Sequence, residues 1–254
     1  HWIRKEEMEK EIAGLKLANA AGVPAPQLLF SSENIEIGRP FVITSLVGGT
    51  AIPKRIVQED AFSPARRSFA AQCGRILATL HNALEFSAGW QGIDPIADLE
   101  FHRNNMGYRS PVLDGALSWL VRNGTPAIEL RPAHRDFRLG NLMIDENGIV
   151  AVLDWETCGL SDPHEDIAWL CSRAWRYGGQ HPAGGIGELN DLIQSYELHS
   201  GRKVEKARLH WWSVLAATRW GFASAARPRG SQGGAAIEEA AIARQVCRQE
   251  YNVV

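Results

Sequence analysis

Residues 134–156 read HRDFRLGNLMIDENGIVAVLDWE, and no other stretch of the chain carries so much readable structure. Between Asn141 and Asp154, two apolar runs flank an Asp145-Glu146-Asn147-Gly148 turn, the pattern of a β-hairpin. An antiparallel hairpin returns the chain to the end where it began. Asn141 enters the first strand and Asp154 leaves the second, so their side chains are expected to finish near one another. One amide oxygen and one carboxylate, completed by waters and phosphate oxygens, suit a magnesium ion. Asp136 stands at the mouth of the same loop, five residues before Asn141. There it can orient a hydroxyl or accept its proton.

The order His134-Arg135-Asp136, four residues, Asn141, hairpin, Asp154 is that of a kinase catalytic loop followed by a metal-binding aspartate. Phosphoryl transfer asks for charge neutralisation and in-line positioning, and these residue types supply both. The carrying segment, HRDFRLGNLMIDENGIVAVLDWETCGLSDPHEDIAWLCSRAW at 134–175, resembles the aminoglycoside phosphotransferase/choline kinase family of small-molecule kinases. The resemblance runs on through GVPAPQLLF, RPFVITSLVGG and the helices around Tyr196–Trp220. It implies an α+β, protein-kinase-like fold of two lobes, a small β-containing N-lobe over 1–47 and a mostly helical C-lobe over 48–254. It implies ATP and Mg2+ as cofactors and a small hydroxylated molecule as acceptor of the γ-phosphate. In that reading Asp136 is the catalytic base, and Asn141 and Asp154 are the metal ligands. Glu11 matches the helix glutamate that pairs with the ATP-binding lysine, and Thr44 and Leu46 match the hinge whose backbone bonds adenine. Aminoglycosides, choline, sugars, macrolides and hydroxyacyl thioesters all suit the same loop as acceptors.

The chain also departs from the family. Arg135 stands where the family usually carries glycine, and no Gly-rich phosphate loop or strand lysine precedes Glu11. Arg4 or Lys5 stand nearest the cationic position. The chain opens on His1 rather than Met, and the expectation is a fragment or processed form with a shortened N-lobe. The alternative function is therefore a nucleotide-binding pseudokinase or an inactive, truncated kinase-like domain; a metal-dependent hydrolase is a third and more distant reading.

Outside this segment the pattern predicts a helix over Glu6–Ala20, strands over Pro26–Ser31 and Pro40–Val47 joined by a polar turn around Glu33–Gly38, and a break at Gly48-Gly49. Helices are then expected over Ser68–Leu84, Val112–Val121, Asn190–His199, Ala207–Ala225 and Ala235–Tyr251, with a loop over Arg227–Gly234. Asp162-Pro163-His164-Glu165 reads as a helix start, with Asp162 as N-cap and Glu165 closing a capping box. Asp166 resembles a family aspartate that buttresses the loop, and His134 is expected to be buried and to brace the loop backbone. Arg135 and Arg138 read equally as phosphate contacts or as partners of neighbouring carboxylates. Trp169, Trp175, Trp211, Trp212 and Trp220 invite an aromatic cage for a quaternary ammonium, although helical spacing favours core packing for most. Glu188, Asp191 and Glu197 read either as a draw for a cationic substrate or as a solvated helix face.

Composition narrows the classes. With 45% hydrophobic and 22% charged residues over 254 positions, the chain is globular and not disordered. The 27 basic and 29 acidic residues leave no cationic surplus, which argues against nucleic acid as a partner. No apolar run is long enough for a membrane span. Four dispersed cysteines, Cys73, Cys158, Cys171 and Cys247, without a C-x-x-C pair, suit buried thiols in a reducing cytoplasm. No motif speaks to oligomeric state.

Overall fold

A computed structural model describes residues 5–32, 41–84, 90, 92–105, 109–124, 126 and 129–225. Helix α1, Lys5–Ala21, carries Glu6 and Glu7 in its first turn, where they complement the helix dipole, and buries Met8, Leu15, Leu17 and Ala18. Gly22, at φ +78°, ends it in the left-handed conformation that favours glycine. Strand β1, Leu28–Ser32, then pairs antiparallel with β2, Phe41–Thr44, with Leu28 opposite Thr44 and Ser32 opposite Phe41. Both are shorter than the apolar runs suggest.

The rest is helical around two further strand pairs. α2 covers Pro53–Gln58, α3 Ser63–His81, α4 Pro95–Asn104 and α5 Pro111–Asn123. Asp94 and Ser110 cap α4 and α5, each followed by proline at the first helical position. β3, Arg131–Ala133, pairs antiparallel with β6, Gly159–Ser161. Between them β4, Leu142–Ile144, and β5, Ile149–Val152, form the expected hairpin. Its turn is closed by Asp145, whose Oδ1 accepts from the backbone N–H of Asn147 (2.7 Å) and Gly148 (3.0 Å). Gln72 of α3 pins the hairpin from below, accepting from the Ile149 N–H at 2.7 Å. α6, Pro163–Cys171, α7, Leu189–Ser200, and α8, Lys206–Ala225, complete the body.

α3 packs along α7, and α8 packs on α4, α5 and α6. Gly74 makes the first contact close, since a Cβ there would lie 2.5 Å from the Leu192 carbonyl oxygen. Leu142 of the hairpin and its flanking residues Phe137 and Trp155 are fully buried, each contributing about 1.5–3 kcal/mol through burial. The helix expected over 235–251, the loop over 227–234, the turn around 33–38, Arg4 and Cys247 lie outside the described residues. α2, α4 and the β3–β6 pair are additions to the sequence reading.

Candidate active site

One aspartate organises the 134–141 loop. Asp166 of α6 is fully buried and accepts from the backbone N–H of His134 (2.9 Å) and Arg135 (2.7 Å). His81 reaches the same carboxylate from α3 at 3.1 Å, and the His81 ring meets the Tyr196 hydroxyl at 3.0 Å. Burial pushes the Asp166 carboxyl up, but the bond to His81, the neighbouring imidazoles and the His134 N–H together hold it below its ordinary value. Asp166 thus buttresses the loop, as expected. Arg135 is held at φ +65°, which explains why glycine suits this position.

His134 is fully buried and braces the loop twice. Its Nε2 sits 3.0 Å from the Leu153 carbonyl oxygen, and its Nδ1 accepts from the Asp136 N–H at 3.2 Å. Those partners fix the tautomer with the proton on Nε2.

The Asp136 carboxylate is held from three directions. Arg138 Nε lies 3.1 Å from each oxygen, Asn141 Nδ2 donates to Oδ2 at 2.7 Å, and the Trp169 indole N–H donates to Oδ1 at 2.6 Å. Asn141 also donates to the Asp136 carbonyl oxygen at 3.0 Å, while its own backbone carbonyl accepts from the Leu153 N–H at 2.8 Å. That last bond closes the hairpin and brings Asp154 beside Asn141. Burial raises the Asp154 carboxyl above its ordinary value, and the negative charge of Asp136 raises it further against the pull of His134 and Arg138. Asp136, Asn141 and Asp154 therefore converge as the spacing suggests.

Glu11 stands on the same side. Gly14, one turn further along α1, touches the post-hairpin segment so closely that a Cβ would meet Trp155 Cβ at 2.7 Å and Cys158 Sγ at 2.8 Å. This seats the Glu11 carboxyl against the backbone N–H groups of Trp155 and Glu156. Burial, aided by the charges of Asp154 and Glu156, raises it to about 7 against those two N–H groups. Thr44 ends β2 and the Leu46 side chain is wholly exposed, and neither lines the cleft beside Asp136.

That cleft has a volume of about 370 Å3 and is lined by Lys10, Asp98, His102, Trp169, Arg219 and Trp220 around Asp136. Behind it, Glu165 joins Arg219 at 2.5 Å and Arg135 at 3.4 Å, and accepts from the Ser161 hydroxyl. Burial alone would raise the Glu165 carboxyl, but the two guanidinium charges and the hydroxyl hold it below its ordinary value. The capping-box reading of Glu165 is therefore corrected: Asp162 caps α6 through the His164 N–H at 2.9 Å, while Glu165 turns to two arginines. A buried charge needs charged partners, and that demand outweighs a local cap.

The arginines also answer the aromatic-cage reading. Arg219 lies 4.3 Å above the Trp169 ring and Arg138 lies 4.8 Å above Trp175, so the protein's own cations occupy these ring faces. Trp211 and Trp212 are buried in the core. On α7 and its flank, Glu188 pairs with His181 and Glu197 with Lys203, and neither acid nor Asp191 lines the cleft. Sequence reasoning leaves Arg219, His81 and Tyr196 out of the site, and it offers Trp169 only as core or as part of an aromatic cage. Only Trp169 carries a usable signal, lying three positions after Asp166 on one helix face.

A helical body beneath a small sheet, with a carboxylate-bearing loop and hairpin between, defines an α+β protein-kinase-like fold. Solved structures agree. A choline/ethanolamine kinase family protein from Mesorhizobium loti superposes with a TM-score of 0.67 at 16% identity, covering 96% of this chain and 79% of the other. Aminoglycoside phosphotransferase APH(4)-Ia, in a ternary complex with AMP-PNP and hygromycin B, gives 0.67 at 16% identity, covering 97% and 85%. Choline kinase LicA from Streptococcus pneumoniae gives 0.64 at 13%, covering 97% and 81%. The model of the phosphotransferase enzyme family (APH) matches residues 3–202, and the chain belongs to that family. Acyl-CoA dehydrogenase family member 10 of Mus musculus is 26% identical over 181 residues, a match that takes in 65% of this chain and spans 16% of that protein's length.

Proposed function

We propose that the protein is a small-molecule kinase that moves the γ-phosphate of ATP to a hydroxyl of a small acceptor. The observation that carries this is the convergence of Asp136, Asn141 and Asp154 at one end of the hairpin, beside a cleft large enough for a small molecule. Asp136 orients the acceptor hydroxyl and takes its proton as the new O–P bond forms and the bond to the β-phosphate oxygen breaks, releasing ADP. Thr44 and Leu46 would offer backbone groups to adenine at the exit of β2.

The residues present fit a magnesium ion. Among the described residues none donates a hydrogen bond to the Asp154 carboxylate, and its raised pKa marks a site where a cation relieves crowded negative charge. Asn141 spends its amide nitrogen on Asp136, leaving its amide oxygen for the ion. Mg2+ so held would neutralise phosphate charge. The unpaired thiols of Cys73, Cys158 and Cys171 support a reducing, cytoplasmic setting. Among the described residues no helix is long and apolar enough to cross a membrane.

The test is ADP release from MgATP across a panel of hydroxyl acceptors. Asp136→Asn should lower turnover by about 10²–10⁴-fold, and an unchanged rate in that variant overturns the reading. A second reading, a nucleotide-binding pseudokinase, is favoured by Glu11. Among the described residues no lysine pairs with its carboxyl, which burial raises to about 7. MgATP binding without turnover on any acceptor is the outcome that selects it.

A further inference from the structure

We infer that Trp169 is a positioning residue for Asp136, and that Arg219 clamps it; the inference rests on the kinase reading above. The Asp136 carboxylate turns about a terminal bond with a broad torsional minimum, so its orientation is set by the donors around it. Two of these, Arg138 and Asn141, belong to the same short loop and move with it. Trp169 does not. Its indole N–H reaches Oδ1 at 2.6 Å from α6, and so references the carboxylate to the body of the molecule.

The indole is itself immobilised. Trp169 is 6% exposed, its ring centroid lies 5.4 Å from that of Trp175, and the Arg219 guanidinium lies 4.3 Å over the ring. Arg219 is fixed by Glu165 at 2.5 Å and donates to the Arg135 carbonyl oxygen at 3.3 Å, which returns the chain of contacts to the loop. Asp166 and Trp169, three positions apart, lie on one face of α6. A single helical turn therefore holds both parts of the loop, its backbone through Asp166 and its working carboxylate through Trp169. Arg219 also lines the cleft, so an acceptor resting against α8 rests against the clamp.

Misplacing a reacting group by about 1 Å can cost about 10²-fold in rate. Trp169→Phe keeps a ring under Arg219 but removes the donor. It should lower kcat by about 10- to 100-fold while KM for ATP stays within about two-fold. A benzothienylalanine at position 169, which keeps the indole shape without the N–H, should give the same loss and guards against a folding defect in Trp169→Phe. In an Asp136→Ala background, Trp169→Phe should change turnover by less than about two-fold, since the acceptor of the bond is gone. The hydrogen bond is read independently of turnover in NMR spectra of the full chain with isotope-labelled tryptophan. The indole proton absent from Trp169→Phe should stand downfield in the wild type and move upfield in Asp136→Ala. If that resonance ignores Asp136→Ala, or if either replacement matches an active wild type in kcat, the positioning role is overturned. A wild type with no turnover on any acceptor overturns the kinase reading instead, whatever the resonance does.

Discussion

Consider Asp166→Asn. The carboxylate accepts from the Arg135 N–H on Oδ1 and from the His134 N–H and His81 on Oδ2. Asparagine can serve one side only. With its carbonyl oxygen kept toward His134 and His81, its NH2 group faces the Arg135 N–H, donor against donor. The cost is one charge-assisted hydrogen bond, about 1.5–3 kcal/mol, plus a buried backbone N–H without an acceptor, about 1–3 kcal/mol. A total of about 2.5–6 kcal/mol follows, and it falls on a residue already held at φ +65°. For a chain of this size that lowers Tm by about 5–24 °C. The deficit should depend on pH with a definite sign. Asp166 titrates below the ordinary carboxylate range when folded, so its contribution is present at neutral pH and is lost as pH falls through that folded value. Thermal unfolding followed by circular dichroism at pH 7 and at about pH 2 reads both effects, the difference from wild type shrinking at the lower pH. A Tm within about 2 °C of wild type at pH 7 refutes the argument that this carboxylate holds the loop.

Three further outcomes follow from the same geometry. Glu11→Gln should stabilise the protein above pH 7 by up to about 3 kcal/mol and have little effect below pH 4.5, because a carboxyl raised from 4.5 to about 7 loses stability progressively as pH rises between those values. Denaturant titrations at pH 5 and pH 8 test it, and a pH-independent difference counts against it. Gly14→Ala should destabilise by about 1–3 kcal/mol despite alanine's better helix propensity, since the new methyl meets Trp155 and Cys158 under 3.0 Å; urea unfolding measures it, and a gain in stability would show that α1 can move away. Asp154→Asn should raise the Tm of the ligand-free protein, because it removes a half-buried charge beside Asp136, and a fall in Tm would mean that Asp154 is stabilised by contacts of its own.

The hairpin is legible in the sequence because its signal is local: two apolar runs and a turn residue whose carboxylate closes on its own neighbours. Asp136, Asn141 and Asp154 are legible for the same reason, since hairpin geometry brings both its ends together. β3 is not, because three residues pair with a strand some thirty positions later, and only the assembled body sets that register. Glu165 misleads because a capping signature is visible along the chain, whereas its arginine on α8 lies 54 positions away. Trp169 reads from the sequence as one wall of an aromatic cage or, as helical spacing favours for most of the tryptophans, as core. It is indeed nearly buried, but its one polar atom points at Asp136, and which way an indole N–H faces is decided by packing. Thr44 and Leu46 rest on the family resemblance, with the Leu46 side chain in solvent.

Whether Asp154 holds metal-bound nucleotide is measured by calorimetric titration of the 254-residue chain with ATP, with and without Mg2+, beside Asp154→Asn. Mg2+ should tighten ATP binding by about ten-fold or more in the wild type and by less than about two-fold in the variant, a difference of at least roughly 1 kcal/mol. Equal magnesium dependence in both proteins would contradict it, because the carboxylate at the end of the hairpin would then have no part in holding the metal-bound nucleotide.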